Sequence, residues 1–230
     1  MGLNKVDLNA AAKKLSKPFL MEHIAQVDHF ALYLYLCEGA VAQHRHLTQD
    51  ELFYVHSGVL SLDTDWGAVM LSRREFAAIP RGLSHLSGSI VRTAVVLFQA
   101  QDDPNRKNGH GRVVVAPRPH SLSKWSVAEE TNLLRQPYLP ILLAQADEMS
   151  LRLVWCQGET AWHAHPDHDE LLIVMEGRLD IGSEIGPVSV AMDELAVIPQ
   201  GRIHRLTSAQ RAVALSLIYN QISPQAHMGQ

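Results

Sequence analysis

The sequence repeats itself at a fixed offset of 119 residues, and this repeat constrains the fold more than any other feature. Three histidines and a glutamate in the first half are matched one for one in the second, without a gap. The matched sets are His44, His46, Glu51 and His85, and then His163, His165, Glu170 and His204. Because a unit of about a hundred residues is one domain in length, the chain of 230 residues is predicted to hold two copies of one domain.

Each repeat is predicted to open on a short helix and to continue as β-structure. The predicted boundaries are 1–100 for the first domain, 101–124 for a linker and 125–230 for the second domain. Asp7 can cap the first helix, and Ser126 with Glu129 has the spacing of a capping box for the second. Beyond the helices, short apolar segments separated by Gly, Pro, Asn and Asp are typical of an all-β sandwich or barrel.

Composition and charge narrow the classes of function. Apolar residues make up 47% of the chain, which argues against global disorder. The longest apolar run, from Ala31 to Cys37, is far shorter than the roughly 20 residues of a membrane span, and the first residues lack a secretory-signal pattern. The formal net charge is −4, and Lys and Arg form no basic stripe. We therefore expect a cytoplasmic protein with neither membrane nor nucleic acid as a partner.

The two cysteines, Cys37 and Cys156, occupy equivalent positions in the two repeats. Equivalent positions belong to separate cores, so we expect no disulfide between them. They are interpreted as two small buried apolar residues, with a thiol ligand or nucleophile as the alternative.

The spacing of the histidines predicts a metal site in each repeat. Histidines two residues apart on a strand point to the same face, as expected for His44 and His46. Glu51 begins the next apolar segment, and a Pro-x-Gly turn precedes His85, so the four side chains can meet only if the sheet is rolled up as in a jelly roll. Three imidazoles and a carboxylate bind Fe, Ni, Co, Zn, Cu or Mn and leave open positions on an octahedral ion. We therefore expect one divalent transition metal per domain.

These residues carry a resemblance to a known family. The pattern Gly39-x4-His44-x-His46-x4-Glu51-x6-Gly58, followed by Pro80-x-Gly82-x2-His85, resembles the two motifs of the cupin superfamily, and the second repeat matches them again. The resemblance covers nearly all the chain outside the linker and the tail. It implies a bicupin with two double-stranded β-helix barrels, each holding a metal through three histidines and a glutamate. The family includes dioxygenases, decarboxylases, isomerases, lyases and non-enzymatic binders, so the resemblance does not name a reaction.

Counting by twos from each glutamate predicts which residues face the barrel interior. The predicted substrate-pocket residues are Phe53, Val55, Leu172 and Val174, and the same reasoning turns Phe76, Ala78, Leu195 and Val197 inward. Apolar walls suit a small organic ligand, although an ordinary packed core explains them equally well. Tyr35, which Val154 replaces in the second repeat, would give the two pockets different specificities if its side chain pointed inward, but it is interpreted as a surface or inter-domain residue. His168 is interpreted as a solvated residue.

Two classes of function remain open. The favoured hypothesis is a metal-dependent oxidoreductase of dioxygenase type that acts on a small molecule such as a phenolic, enol or keto acid. A metal-dependent isomerase or decarboxylase is a related alternative, and a non-catalytic small-molecule-binding protein is an alternative of another class. Because two fused barrels can mimic a dimer of single domains, a monomer and a homodimer are both compatible with the sequence.

Overall fold

The computed structural model describes residues 2–101 and 121–219, and their fold is all-β, as predicted. The first eight-stranded sheet contains β2 (Glu22–Val27), β3 (Phe30–Ala40), β4 (Glu51–Ser57), β5 (Val59–Thr64), β6 (Gly67–Ser72), β7 (Glu75–Ile79), β8 (His85–Ala100) and β9 (Lys124–Ser126). The second contains β1 (Asn4–Asp7), β10 (Ile141–Ala146), β11 (Met149–Glu159), β12 (Glu170–Glu176), β13 (Arg178–Ser183), β14 (Val188–Ala191), β15 (Glu194–Ile198) and β16 (His204–Tyr219).

Each sheet folds back on itself as a jelly roll around one long strand. In the first sheet the order is β2-β3-β8-β4-β7-β9, with β5 pairing β8 and β6. Strand β8 closes the barrel because its first half pairs with β5, whereas its second half lies between β3 and β4. Strand β16 has the same role in the second sheet, whose order is β1-β15-β12-β16-β11-β10. The repeat in the sequence is therefore a repeat of one barrel.

The two barrels exchange their edge strands, which the sequence did not predict. Strand β1 precedes the first barrel in the chain but pairs with β15 of the second sheet. Strand β9 precedes the second barrel but pairs with β7 of the first. The proposed boundaries at residues 100 and 125 stay predictions, and most of the predicted linker, residues 102–120, lies outside the described part of the chain.

The apolar residues of the described ranges form one core inside each barrel and a third between the barrels. The central core is built from the outer faces of both sheets and includes Leu52, Tyr54, Leu171 and Ile173. It also contains Phe76, Leu195 and Val197, and Ala78 packs against it, so the prediction that these four face the barrel interiors was wrong. Their neighbours Ala77, Ile79, Ala196 and Ile198 occupy the interiors instead. Strands β4 and β12 are consequently buried on both faces.

A short helix follows each of the exchanged strands, β1 and β9. Helix α1 (Leu8–Lys14) begins after Asp7, whose Oδ1 accepts a hydrogen bond of 2.9 Å from the Ala10 amide. Helix α2 (Val127–Glu130) is a single turn that continues as a 3-10 helix at Thr131–Leu133. Ser126 makes no capping hydrogen bond with its side chain, so the predicted capping box does not form. Among the described helices none has the length and apolar character to cross a membrane.

Candidate metal centres

In each barrel the structure brings together the four residues that the sequence singled out. The ligand atoms of His44, His46, Glu51 and His85 all lie within 4.8 Å of one another, and so do those of His163, His165, Glu170 and His204. In the first barrel the His44 and His85 rings are 4.4 Å apart between centroids, and the equivalent rings of the second barrel are 4.2 Å apart. Both quartets therefore have the compactness that a single ion requires.

Backbone hydrogen bonds fix the first quartet from both sides. His44 and His85 form an isolated antiparallel bridge in which each amide donates to the carbonyl of the other, at 2.9 and 2.8 Å. Gly82 lies in the turn before His85, with φ +82°, and its amide donates to the His46 carbonyl at 2.6 Å. A left-handed conformation of this kind favours glycine, which explains the Pro-x-Gly spacing. The turn thus holds the third histidine against the segment that carries the first two.

The hydrogen bonds of the ring Nδ1 atoms set the direction of the imidazoles. In the first barrel His44 Nδ1 lies 2.9 Å from the Ala42 carbonyl oxygen and His85 Nδ1 lies 3.1 Å from that of Leu83. His163 and His204 make the same contact in the second barrel, each at 2.9 Å. A carbonyl can only accept, so Nδ1 carries the proton and Nε2 offers its lone pair to the centre of the site.

The Glu51 carboxylate lies against two of these rings and is almost fully buried. Its Oε1 is 3.4 Å from His46 Nε2 and its Oε2 is 3.0 Å from His85 Nε2. Burial alone would lower the pKa of His85, but the interaction with Glu51 and the Leu83 carbonyl together raise it. Glu51 Oε2 and the Nε2 atoms of His46 and His85 nevertheless have no partner with hydrogen-bond geometry among the described residues. Because buried polar atoms are normally satisfied, a cation that they share fits this donor set.

The second centre holds its carboxylate more firmly than the first. Glu170 Oε2 lies 3.2 Å from His165 Nε2, and its Oε1 accepts a hydrogen bond of 3.1 Å from the hydroxyl of Ser216. Burial would raise the pKa of Glu170, but the contacts with His165 and His204 lower it to about 2. The first barrel has Leu97 at the position of Ser216. This difference was not predicted, although it is visible when the two repeats are compared position by position.

Aspartates next to the glutamates tie each centre to the opposite barrel. Asp50 Oδ1 accepts a hydrogen bond from the amide of Arg81, in the turn before His85, at 2.8 Å. Its Oδ2 accepts the amide of Asp147 from the second barrel at 2.7 Å, and Asp147 Oδ2 accepts the Asp50 amide at 2.9 Å. Asp169 and Asp28 form the equivalent reciprocal pair. The role of these aspartates was not predicted, although all four are related by the 119-residue offset.

Tyr35 lies inside the first barrel rather than on a surface, so the favoured interpretation was wrong and the inward-pointing alternative is the one observed. Its side chain is 2% exposed and packs in the interior core with Cys37 and Phe53. Burial, followed by the charges of Cys37 and Glu51, raises the pKa of Tyr35, while its hydrogen bond with Ser87 opposes this shift. The hydroxyl therefore remains protonated at neutral pH. In the second barrel Val154 and Leu206 replace this tyrosine and serine, so the two interiors differ in polarity.

Buried side chains surround both centres, and one edge of each remains open. The four predicted pocket residues, Phe53, Val55, Leu172 and Val174, belong to the interior cores. The Phe53 ring lies 6.2 Å from that of His85, edge to face. The side chain of His46 is 33% exposed and that of His165 is 28% exposed, so each centre can be reached from the side of its second histidine.

The two cysteines lie where they were predicted, whereas His168 has a ring contact that was not predicted. Cys37 and Cys156 are buried and free, as predicted, and burial raises the pKa values of their thiols to about 11 and about 12. Within the described ranges, neither cysteine belongs to a metal-site cluster. His168 is not simply solvated, because its ring stacks on that of His165 at 4.7 Å between centroids.

Two jelly rolls with a histidine and glutamate quartet in each define the class of this protein: a duplicated β-barrel with two candidate metal centres. No protein-family model matches the chain. The uncharacterized protein YdbB of Bacillus subtilis (strain 168) is 36% identical over 92 residues, which cover 39% of this chain and 80% of that protein.

Solved structures resemble almost the whole chain. A cupin 2 conserved barrel domain protein from Leptotrichia buccalis has a TM-score of 0.71 at 12% identity and matches 96% of this chain and 98% of its own. A salicylate 1,2-dioxygenase from Pseudaminobacter salicylatoxidans has a TM-score of 0.75 at 10% identity, over 95% of this chain and 84% of its own. The two barrels therefore have the fold of these cupin proteins, present twice in one chain, and the 36% identity shows that the chain belongs to the same family as YdbB.

Proposed function

We propose that this bicupin is a metal-dependent oxidoreductase of dioxygenase type that acts on a small organic substrate. The observation that carries the proposal is the convergence of three imidazoles and one carboxylate within 4.8 Å in each barrel. When bound there, a redox-active divalent metal supplies a Lewis acid and open positions for O2 and substrate. The Nε2 atoms of the three histidines and the adjacent glutamate would hold the ion, and the exposed edge beside His46 or His165 would admit the ligand.

Oxygen chemistry is favoured over isomerisation or decarboxylation because, among the described residues, no buried acid or histidine outside the quartets is free to exchange a proton with a substrate. Among the described residues, the buried acids and histidines apart from the quartets are His56 and Asp193. His56 bonds to Asn9 of helix α1, and Asp193 pairs with Arg73 and Arg74, so both are engaged elsewhere. Isomerisation commonly needs a positioned acid or base near pH 7. The likeness of fold to a salicylate 1,2-dioxygenase agrees with this preference.

We further propose that the first barrel is the one that turns over substrate. Its interior holds the protonated hydroxyl of Tyr35, which can donate a hydrogen bond to a substrate oxygen beside the Glu51 centre. The second centre lacks this hydroxyl, and Ser216 fixes its Glu170 carboxylate. A firm carboxylate suits a structural ion, whereas an apolar pocket with one donor suits a phenolic, enol or keto acid.

The experiment combines metal analysis with oxygen consumption. Protein purified without chelators is expected to hold two equivalents of divalent metal, and His44→Ala and His163→Ala are each expected to hold one. The matched control, His23→Ala, removes an exposed histidine whose ring contacts only Gln26 and Tyr33 among the described residues, and should retain both. With Fe(II) loaded, O2 uptake on a panel of small phenolic, enol and keto acids should be lost in His44→Ala and retained in His163→Ala.

Two results would contradict this proposal. Metal content that stays the same in either variant would mean that the histidine concerned is not an essential ligand. Stoichiometric binding of a panel compound without O2 uptake or product would instead identify a binding protein.

A further inference from the structure

The first barrel exposes an apolar face that takes no part in the metal centre or in the contact between the barrels. Strands β5, β6 and the beginning of β8 enclose a groove of about 720 Å³ on the outside of the barrel. Its apolar lining is formed by Ala40, Val59, Met70, Leu86, Ile90 and Val91, which we call the β5–β8 face. Ile90 is fully exposed, and about half of the Met70 and Val91 surface is accessible. Such a continuous apolar patch commonly marks an interaction site.

The second barrel provides an internal comparison for this face. At the six equivalent positions it carries Glu159, Arg178, Ser189, Arg205, Ala209 and Gln210, so five polar residues and one small alanine replace the apolar set. Arg205 pairs with Glu159 at 2.9 Å and lies over the Trp162 ring at 5.1 Å, and Arg178 donates to the Ser189 hydroxyl at 3.3 Å. The same barrel thus folds with a mainly polar outer face. Folding alone therefore does not require the large apolar residues of the first barrel.

We propose that the β5–β8 face is the surface through which two copies of this chain form a twofold symmetric dimer. In such a dimer a patch meets the same patch on the partner copy, so it must complement itself. This face does so in shape, because it combines a protruding Ile90 with a groove. Few charges would be desolvated in such a contact, because Asp63 is the one charged residue among the described residues that line the groove. The equivalent face of the second barrel is charged. If it packed against the β5–β8 face of another copy, its ions would be buried against apolar groups, and this cost disfavours head-to-tail association.

Sedimentation velocity of the intact chain tests the dimer. At a concentration of tens of micromolar, the wild type is expected to sediment as a species with twice the 25.6 kDa mass of the chain. Ile90→Lys places a charge in the centre of the interface and is expected to shift the protein to the monomer, with at least a hundredfold weaker self-association. Met70→Ser, which introduces the residue type found at position 189, should weaken association in the same direction. Both side chains are exposed, so the fold of the monomer should tolerate these changes.

Ala209→Lys is the matched control, since it introduces the same charge at the position of the second barrel equivalent to Ile90. Ala209 is exposed, and its replacement should leave the dimer intact. Circular dichroism and metal content would confirm that each variant is folded. A wild type that stays monomeric across the concentration range would overturn the proposal, and so would an Ile90→Lys variant that dimerises as strongly as the wild type. Because the readout is molecular mass, failure of the dioxygenase proposal would leave this result unaffected.

Discussion

Replacement of Asp193 by asparagine should destabilise the protein by removing a buried charge between the two barrels. Asp193 is 2% exposed, and its Oδ2 and Oδ1 lie 2.8 Å from Arg73 Nη2 and 3.3 Å from Arg74 Nη2. Both arginines come from the first barrel, and Asn9 Nδ2 also approaches the carboxylate at 3.4 Å. Asparagine tolerates the left-handed backbone of this residue, at φ +66°, so Asp193→Asn isolates the effect of charge.

The expected cost follows from the exposure of the partners. Breaking a fully buried ion pair costs about 3–5 kcal/mol, because the remaining charge keeps its desolvation penalty. The side chains of Arg73 and Arg74 are 52% and 28% exposed, so water compensates part of this loss. We therefore expect a decrease of about 2–3 kcal/mol in the free energy of unfolding. For a chain of this size that corresponds to a fall of roughly 5–10 °C in Tm.

Urea denaturation of metal-free protein, followed by circular dichroism, measures this difference without a contribution from bound ions. Glu184→Gln is the control, because it removes an ion pair with Arg202 in which both side chains are substantially exposed. Such a pair contributes less than about 1 kcal/mol. If Asp193→Asn and Glu184→Gln unfold at the same urea concentration, with the same dependence of the unfolding free energy on urea, the reasoning from burial is refuted.

Two further predictions concern His56 and Tyr35. Burial lowers the pKa of His56, so the folded state binds its proton less readily than the unfolded state, and stability should decline as pH falls below about 6.5. His56→Met, which introduces the residue type found at the equivalent position 175, should flatten this decline in urea titrations at pH 5 to 7; an unchanged slope would exclude His56 as its source. Tyr35→Phe should keep two metal equivalents yet lower kcat/KM by roughly tenfold, since one hydrogen bond to substrate is lost; unchanged kinetics would show that this hydroxyl does not contact substrate.

The sequence was most informative where a pattern occurs twice. The positions of His44, Glu51 and His85 could be inferred as one cluster because the fold needs three separated segments to meet, and the second repeat supplied the same spacing. Counting every second residue from Glu51 predicted correctly which side chains of β4 face the barrel interior. The same rule applied to β7 placed Phe76 on the wrong face. The reason is that β4 and β7 are covered on both sides, so apolar residues at either parity are buried and alternation gives no direction.

Features that depend on contact between the barrels could not be inferred from local sequence. Strand β1 has only four residues and pairs with β15 of the other repeat, so neither its length nor its composition predicts the pairing. The same holds for Asp50, whose significance lies in accepting amides from Arg81 and from Asp147 across the interface. Such contacts follow from how two copies pack, and a periodicity within one copy contains no information about that packing.

The duplication also explains why the two halves differ where they meet. A residue that contacts its own counterpart lies on the pseudo-twofold axis, and in a symmetric dimer that contact would join two identical side chains. Here Arg74 meets Asp193, its counterpart at the 119-residue offset, and His29 meets Glu148 in the same way at 3.5 Å. Two arginines or two glutamates at these positions would repel each other. Fusion into one chain allows the two copies to carry unlike residues there, so Arg74 forms an ion pair with Asp193 and the His29 ring contacts the Glu148 carboxylate. It equally allows one barrel to have Ser216 while the other has Tyr35.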